Sequence, residues 1–498
     1  MVGLTITYED SELILAAEDC DRAIFSEIHR FTRNDRRIIN KLIAHGPVLL
    51  QGGRGSGKSA LMIAASQEMA PYDIVSDVVG VYVSLRHLPL LRSEGEAYEK
   101  IFCGLLADEI RKTAETFDVN FESDPNVRSL QYAIAKLSET LSKRIVLLFD
   151  DAAHIGREAS LEEFFSIFRT LSSSSVSCKA AIYPGVTHFG NRFDVYNDAT
   201  VIDVTRDEDQ PEFGELFADV IKARYPLLAE AEYVTNLPYE RAAKFLGLCV
   251  LGNMRGFIFA CGKLQDQIAA GPIGLKALGN VMQFLATNYY WPLLEEVTPK
   301  LGKYSPMVEP AKILAERLVA ECTGKHSVRK SVLIHRDFVT AMPKPFEILE
   351  YVGFLARREA SRALKSGGRG TRYSVNLCLL FEQAPGLRLT TELFTVYETE
   401  KKDPLEIHTT SKFPKLLMPL PAKDGELQIL KEPVSCLAKS NAYPYGLTPR
   451  MVHTLKKANI DTVRDLSETS DKKLDELEWV GPATVRRMRN VVGQAVWM

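Results

Sequence analysis

The stretch Pro47-Val-Leu-Leu-Gln-Gly-Gly-Arg-Gly-Ser-Gly-Lys-Ser-Ala-Leu61 decides the fold. Its apolar start predicts a buried strand, the glycines that follow predict a turn, and the residues from Lys58 onward predict a helix start. Residues Gly52 to Ser59 match the pattern GxxxxGK[ST]. We therefore predict that this loop lies at the carboxyl edge of a parallel sheet, where such sheets bind ligands.

Each residue type in this loop has a reason to bind a polyphosphate. Glycines let backbone N–H groups approach phosphate oxygens, Lys58 reaches the β and γ oxygens, and Ser59 can ligand Mg²⁺. The N-terminal dipole of the helix also holds an anion. The predicted nucleotide-binding residues are Gly52, Gly53, Arg54, Gly55, Ser56, Gly57, Lys58 and Ser59.

A second apolar run, Ile145 to Phe149, ends in the acids Asp150 and Asp151. We expect a buried strand beside the phosphate loop, with Asp150 in the Mg²⁺ shell and Asp151 orienting the attacking water. The alternative is a strand whose acids only cap the next helix. Other strands are predicted at 78–83, 179–183 and 199–204, with helices within 95–117, 129–142 and 161–171. This alternation predicts a parallel sheet covered by helices on both faces.

The order of phosphate loop, Asp-terminated strand, fourth strand with a polar exit and a later helical Gly252-Asn-Met-Arg255 resembles the AAA+ class of P-loop ATPases over about residues 20–270. Within that class it is most similar to the replication-initiator (origin-recognition-like) clade and its prokaryotic relatives, and less to STAND signalling ATPases. The resemblance implies an α/β core with a helical lid, ATP and Mg²⁺ as cofactors, ATP hydrolysis and a homo-oligomer.

The resemblance also implies roles for three further residues. Thr187, at the exit of the fourth strand, matches a polar sensor of the γ-phosphate, although ordinary turn chemistry also explains Pro184-Gly185. Arg192 matches an arginine finger that reaches a neighbouring subunit, with a solvated surface arginine as the alternative. Arg255 matches the second-sensor arginine of the lid, with helix capping as the alternative. Asp151 stands where the family usually has Glu, which favours slow, switch-like hydrolysis.

Beyond the lid, helices at 311–321 and 346–354 precede two short strands, at 355–359 and 373–381, around a glycine-rich basic loop. This arrangement resembles a winged helix. Residues 350–373 contain six basic and two acidic residues, a local charge of +4. The predicted nucleic-acid-binding residues here are Arg358, Lys365, Arg369 and Arg372. A protein-binding winged helix or a solvated hairpin is the alternative.

The chain then changes composition twice. Residues 385–449 contain eight prolines and read as extended segments and linker, with 387–397 as a small sheet. The tail, residues 441–498, looks like paired helix-hairpin-helix units and is similar to the C-terminal domain of the bacterial RNA polymerase α subunit. Arg486 and Arg487 are its predicted phosphate contacts. Nine basic against seven acidic residues give the tail a modest +2, so protein docking stays an alternative.

Five regions follow: 1–207 as the nucleotide-binding core, 208–272 as the lid, 273–384 as the winged-helix-like domain, 385–440 as the Pro-rich connection and 441–498 as the helix-hairpin-helix domain. The 498 residues are 46% hydrophobic and 25% charged, which excludes bulk disorder. A net charge of −3 means that nucleic acid must be attracted by local patches. Eight scattered cysteines, without zinc-site spacing, and the lack of an export or spanning segment predict a cytoplasmic protein with no membrane partner.

Three functions fit this sequence. The first is an oligomeric AAA+ ATPase that grips DNA through its C-terminal modules, as in DNA maintenance, mobile-element targeting or phage defence. The second is a STAND-like switch whose C-terminal modules bind a protein effector. The third is a chain that binds nucleotide only for structural reasons.

Overall fold

The computed structural model describes residues 16–86, 90, 93, 95–153, 158–185, 189–190, 192–324, 328–399, 403–411, 419, 428–440, 443 and 446–497. Among these residues, the helices are either too short or too polar to cross a membrane.

The N-terminal part is built on a parallel sheet of five strands. The strands are β1 Val48–Gln51, β2 Val78–Ser84, β3 Arg144–Ala153, β4 Val176–Ile182 and β5 Thr200–Asp203, in the order β2-β3-β4-β1-β5. The helices between them are α1 Arg22–Ile28, α2 Arg33–Ile43, α3 Lys58–Gln67, α4 Gly95–Glu115, α5 Val127–Leu141, α6 Glu158–Leu171 and α7 Val195–Asp198. The predicted α/β fold is confirmed, and one strand, β4, separates the phosphate-loop strand from the acidic strand.

Helices cover both faces of this sheet, which is why its central strands are continuous apolar runs rather than alternating ones. On one face, Phe102, Phe149, Phe164 and Phe168 form a fully buried aromatic cluster between α4, β3 and α6. On the other face, the side chains of α2 and α3 form a separate apolar core with β1. Both cores fix the carboxyl ends of β1 and β3 at the same edge of the sheet.

A helical segment follows the sheet. Its helices are α8 Phe213–Arg224, α9 Pro226–Glu230, α10 Tyr239–Cys249, α11 Met254–Gln265, α12 Leu275–Leu285 and α13 Trp291–Glu296. A π-helical turn, Ala286–Tyr290, joins α12 to α13. These helices share one apolar core with the region that follows them.

That next region contains a second sheet. Its elements are α14 Val308–Cys322, β6 Ser331–His335, α15 Arg336–Ala341, α16 Pro343–Tyr351, β7 Leu355–Ala363, β8 Arg369–Val375, α17 Leu377–Phe381, α18 Thr391–Thr399 and β9 Leu405–Ile407. The strand order is β7-β8-β6-β9. Strands β7, β8 and β6 pair antiparallel, and β9 is parallel to β6.

Two sequence predictions in this region were wrong. The strand predicted at 373–381 ends at Val375, because the Asn376 side chain accepts a hydrogen bond from the Cys378 backbone N–H at 3.0 Å and starts α17. The sheet predicted at 387–397 is replaced by α18 over most of its length. Phe394 and Tyr397, three residues apart, are both buried, and Phe394 stacks on Phe245 with 4.4 Å between ring centroids. Helical spacing of large apolar residues outweighed the β propensity of the threonines and valine.

The last part of the chain has its own apolar core. Its helices are α19 Pro449–Lys457, α20 Val463–Glu468, α21 Asp471–Asp475 and α22 Pro482–Trp497. Val434 and Leu437, from the predicted connection, are buried in the same core as Leu455 and Val491. Residues 428–440 therefore pack with the tail rather than lie apart from it.

A buried lysine holds the turn between α2 and β1 in place. Lys179, in the middle of β4, is fully buried, and its Nζ donates to the carbonyls of Ala44 (2.7 Å), Lys41 (3.3 Å) and Gly46. We expect Lys179→Met to lower the free energy of unfolding by about 3 kcal/mol, because three carbonyls of this turn then lose their charged donor. Chemical denaturation measures this loss. Lys112→Met, at an exposed lysine on α4, is the control, and equal stability of the two variants would contradict the assignment.

Candidate nucleotide site

The phosphate loop joins β1 to α3 through a compact turn in which several positions require glycine. Gly55 and Gly57 have φ values of +76° and +97°, in the left-handed region. A Cβ on Gly55 would lie 2.6 Å from the Cβ of Arg255, and one on Gly52 would lie 2.4 Å from Val204. Because α3 begins directly at Lys58, its first backbone N–H groups have no acceptor within the helix.

Lys58 lies deep in this turn, with only 6% of the residue exposed. Its Nζ donates to the carbonyls of Gly52 (2.7 Å) and Gly53 (3.1 Å) and lies 3.8 Å from the ring centroid of Tyr183. Burial lowers the pKa of Lys58 to about 8, although Asp151 and Asp150 oppose the shift. Ser59 is half-buried and lines the same cleft.

The two predicted acids lie at the carboxyl end of β3, where the register with β4 breaks between Phe149 and Ala153. Asp150 and Asp151 are only 1% and 3% exposed. Asp150 accepts hydrogen bonds from the Tyr82 hydroxyl (2.7 Å) and from the Asp151 backbone N–H (2.9 Å). Burial, followed by the charges of Asp151 and Glu18, raises the pKa of Asp150 to about 7.

Asp151 has two partners that the sequence did not indicate. The Nε of Arg86 donates to its Oδ2 at 2.5 Å, and the Tyr183 hydroxyl donates to its Oδ1 at 3.1 Å. Asp151 also has a positive φ of +52°, which turns its side chain away from the regular strand. Arg86 extends the network to Glu18, at 3.3 Å.

Glu18, Asp150 and Asp151 form the cluster that fits a divalent cation. One carboxylate oxygen of each residue lies within 4.8 Å of the others. Hard cations such as Mg²⁺ prefer oxygen ligands, and three carboxylates at this spacing supply them.

The cleft beside this cluster is strongly cationic. Among the described residues that line it are six arginines and Lys58, against one carboxylate, Glu18. The arginines are Arg30, Arg54, Arg86, Arg206, Arg224 and Arg255. Apolar side chains also line the cleft, among them Ile28, Phe31, Val220 and Ile258. Cationic and apolar side chains in one cleft suit a polyphosphate that carries a base.

The predicted second-sensor position lies against the phosphate loop. The backbone N–H groups of Met254 and Arg255 both donate to the Gly55 carbonyl, at 3.1 and 3.3 Å. The Asn253 side chain caps α11 and donates to the Arg54 carbonyl at 2.5 Å. Burial and the charge of Arg54 lower the pKa of Arg255. The lid is therefore hydrogen-bonded directly to the phosphate loop.

The loop also contacts helices that lie far downstream. The backbone N–H of Arg54 donates to the Tyr351 carbonyl at 3.1 Å, at the end of α16. The Arg54 guanidinium lies 3.6 Å from Glu296 of α13, and Glu296 pairs with Lys300 at 2.5 Å. We call Arg54, Glu296 and Lys300 the Glu296 bridge. No sequence pattern predicts the Glu296 bridge, because about 240 residues separate Arg54 from its two partners.

Arg192 and Thr187 are the two remaining predicted site residues. Arg192 is exposed, and it is not among the residues that line the cleft of its own chain. Its role as a finger toward a second subunit stays a prediction. Thr187 lies outside the described residues.

The predicted basic set of residues 358–372 is largely neutralised by acids. Arg358, with a side chain only 7% exposed, pairs with Glu208 and donates to the Arg206 carbonyl at 2.7 Å, so it is not free to contact a nucleic acid. Lys365 pairs with Asp403 (2.6 Å) and Arg372 with Glu359 (3.0 Å). The local charge count missed Glu208 and Asp403, which are remote in sequence. Arg369 is exposed and donates to Ser361.

The basic residues of α22 differ in their exposure and in their hydrogen-bond partners. Arg486 is exposed. Arg487 donates to the Gly446 carbonyl at 2.8 Å, within the tail. Arg489 pairs with Asp471 at 2.7 Å and donates to the Leu466 carbonyl at 2.9 Å.

Comparisons with known proteins add only distant likenesses. No protein-family model matches the chain, and no curated protein matches it. Domain III of the replication initiation protein DnaA from Thermotoga maritima matches with 15% identity and a TM-score of 0.29, over 52% of this chain and 94% of that one. The Drosophila ORC bound to DNA matches with 11% identity and a TM-score of 0.36, over 73% and 97%.

A STAND protein with a tetratricopeptide repeat sensor from Pyrococcus horikoshii matches with 11% identity and a TM-score of 0.27, over 72% of this chain and 44% of that one. Likenesses this weak carry no argument about function. The fold follows from the chain itself: a phosphate loop and an acid-terminated strand, on either side of one strand in a five-stranded parallel sheet, form an α/β P-loop fold.

Proposed function

We propose that this chain binds Mg-ATP between its phosphate loop and the end of β3 and hydrolyses it slowly. The observation that carries the proposal is the meeting of three features in one place. These are the glycine turn with Lys58, the buried acids Asp150 and Asp151, and a cleft with seven cationic side chains against one carboxylate.

Each group has a role that follows from its position. Lys58 and the first N–H groups of α3 would bind the phosphates, while Ser59 and Asp150 would hold Mg²⁺. When bound, Mg²⁺ supplies charge neutralisation for the phosphate oxygens. Arg255 would join the lid to the nucleotide, and the apolar residues around Ile28 and Ile258 would enclose the base.

Slow hydrolysis follows from the surroundings of Asp151. Both of its oxygens accept hydrogen bonds, from Arg86 and from Tyr183. A carboxylate held by a guanidinium is a weak base, and Asp is one methylene shorter than Glu. To orient a water, Asp151 has only the remaining lone pair of each oxygen, and a base held in this way suits a switch better than a motor.

Steady-state hydrolysis tests this proposal. We expect Mg²⁺-dependent turnover below about 10 s⁻¹, the level of an ordinary enzyme. Asp151→Asn is expected to lower turnover at least about 10-fold, because a water-orienting base is lost. The affinity for Mg-ATP, measured on the same variant, should change little. Turnover well above 10 s⁻¹, or none that depends on Mg²⁺, would contradict the proposal.

We also propose that the chain forms a homo-oligomer, with Arg192 acting across subunits, and that its winged-helix-like and helix-hairpin-helix regions engage DNA. The exposed cations Arg369 and Arg486 support this. Mobility shift of duplex and single-stranded DNA at two salt concentrations, with and without ATP, tests it, since phosphate contacts weaken as salt rises. Mass measurement with a non-hydrolysable ATP analogue tests assembly, and a monomer that hydrolyses ATP rules out the Arg192 role.

A second candidate is a STAND-like switch whose C-terminal regions bind a protein effector. It is favoured by the hydrogen bond from Arg54 to the Tyr351 carbonyl and by the Glu296 bridge. These contacts make the position of the downstream helices depend on the phosphate loop. If DNA binding is absent or insensitive to salt, the STAND-like candidate replaces the proposed engagement of DNA.

A further inference from the structure

We propose that the tail contains a stacking site for an unpaired nucleic-acid base, with Trp479 as its platform. The inference rests on the proposed engagement of nucleic acid and names the part of that ligand which the tail recognises. It comes from a comparison of the two helix pairs of the tail, α19–α20 and α21–α22.

The two pairs share a backbone feature at their connections. In the first pair, Asn459 has a φ of +57° and is followed by the buried Ile460. In the second pair, Trp479 has a φ of +64° and is followed by the buried Val480. Asn459 directly follows the C-cap of α19, and Trp479 lies in the turn after α21; both adopt the left-handed backbone that favours Gly or Asn. A bulky aromatic residue here is a genuine outlier that strains the backbone.

Burial does not compensate for this strain, because 73% of Trp479 is exposed. Its Nε1 donates to the neighbouring Glu478 at 3.0 Å, and the Cζ of Arg450 lies 4.5 Å from the ring centroid. Neither contact encloses the indole. An aromatic ring that gains little within the chain and sits on an unfavourable backbone is best explained by a contact outside the chain.

The surroundings of the ring identify the chemistry of that contact. Helix α19 carries the exposed residues Arg450, His453, Lys456 and Lys457 and no acidic residue, although Lys457 pairs with Glu478 at 3.7 Å. An aromatic platform beside a cationic helix suits a ligand with both flat π faces and negative charge, which describes a nucleic acid. In a duplex the base faces are covered by their neighbours, so an exposed indole needs an unpaired base.

The arginines of α22 support this placement of the ligand. Arg487 and Arg489 donate to carbonyls within the tail, which leaves Arg486, the exposed Lys472 and Lys473 of α21 and the cations of α19 to contact phosphates. Of these, Arg450 of α19 lies over the Trp479 ring. The sequence-based expectation placed the phosphate contacts on α22 alone.

Binding of a thymine oligonucleotide and of a duplex to the full-length chain, at low salt, tests the site. Trp479→Ala should weaken single-strand binding at least about 5-fold, because stacking contributes about 1–3 kcal/mol per base. Duplex binding should change less than 2-fold, because the bases of a duplex are covered by their neighbours and do not stack on the indole. Trp479→Phe, which keeps an aromatic face, should retain most of the single-strand affinity.

A stability measurement separates a ligand contact from a structural role. Trp479→Asn should lose single-strand affinity as Ala does, yet its melting temperature should equal or exceed that of the wild type, because Asn suits the left-handed backbone. A clear drop in melting temperature would show that the indole supports the fold and would overturn the proposal.

The remaining outcomes are also decisive. If Trp479→Ala binds single strands as the wild type does, while a triple Ala substitution of Arg450, Lys456 and Lys457 does not, the stacking site is wrong and the nucleic-acid role stands. Equal losses for duplex and single strand would overturn the preference for an unpaired base. If the wild type binds neither, both the site and the proposed DNA role fail.

Discussion

Lys58→Ala is expected to lower the affinity for Mg-ATP at least about 100-fold, which corresponds to about 2.7 kcal/mol. Charged hydrogen bonds of this kind contribute about 1.5–3 kcal/mol each, and Lys58 would make them in a site shielded from water. Isothermal titration calorimetry measures the loss. Lys112→Ala, at a mostly exposed lysine on α4, is the matched control and should bind as the wild type does.

The same variant separates an active nucleotide site from a structural one. Lys58 donates to the Gly52 and Gly53 carbonyls, so Lys58→Ala is expected to lower the free energy of unfolding by about 1–3 kcal/mol when no nucleotide is added. We expect the variant to fold still, so that its loss of ATP affinity is measured on folded protein. A variant that loses stability while its ATP turnover is unchanged would favour the third function, a nucleotide bound only for structure.

Glu296→Gln is expected to lower the free energy of unfolding by about 3–5 kcal/mol, the cost of leaving buried charges without their partner. Glu296 lies between Arg54 and Lys300, whose side chains are 11% and 6% exposed, and it is itself 14% exposed. Gln keeps the size of the side chain and removes its charge, so the result reports electrostatics rather than packing. Chemical denaturation measures the change.

Glu295→Gln is the control for this prediction, because it removes a neighbouring carboxylate in a different environment. Glu295 is 69% exposed and pairs with Lys312 at 3.2 Å, a surface ion pair of the kind that contributes about 0–1 kcal/mol. If both variants lose the same stability, the Glu296 bridge does not hold the phosphate loop to α13. A selective loss in Glu296→Gln supports the coupling that the STAND-like candidate needs.

The parts of the site that the sequence predicted are local motifs. The phosphate loop and the two acids of β3 each stand in one short segment, where residue type and order are enough. The α/β fold was predicted for a related reason, since long apolar runs that alternate with amphipathic helices leave few other arrangements. Phosphate-loop glycines at positive φ then explain why the loop takes the observed turn.

The missed residues depend on register and on contacts between remote segments. Tyr82 and Arg86 reach the acids because β2 is the neighbour of β3, with Ser84 opposite Asp150. A strand order was needed to find them. Their signal was their place at the carboxyl end of a strand, where parallel neighbours converge. Tyr183, at the end of β4, follows the same rule.

In the basic region before Tyr373, the sequence-based prediction overestimated the free positive charge. Its cations are adjacent in sequence, which suggested a free charged surface. Glu208 and Asp403, which neutralise Arg358 and Lys365, come from segments more than 30 residues away. A charge count over a short window does not include such partners.

The most direct test of the central claim is calorimetry of ATP with and without Mg²⁺, on the wild type and on Asp150→Asn. Glu18, one of the three clustered acids, lines the same cleft as Lys58 and Ser59, so we expect Mg²⁺ to strengthen ATP binding to the wild type. In Asp150→Asn that gain should disappear, while metal-free binding is retained. Equal ATP affinity in all four measurements, or no uptake of ATP by the folded wild type, would contradict the account.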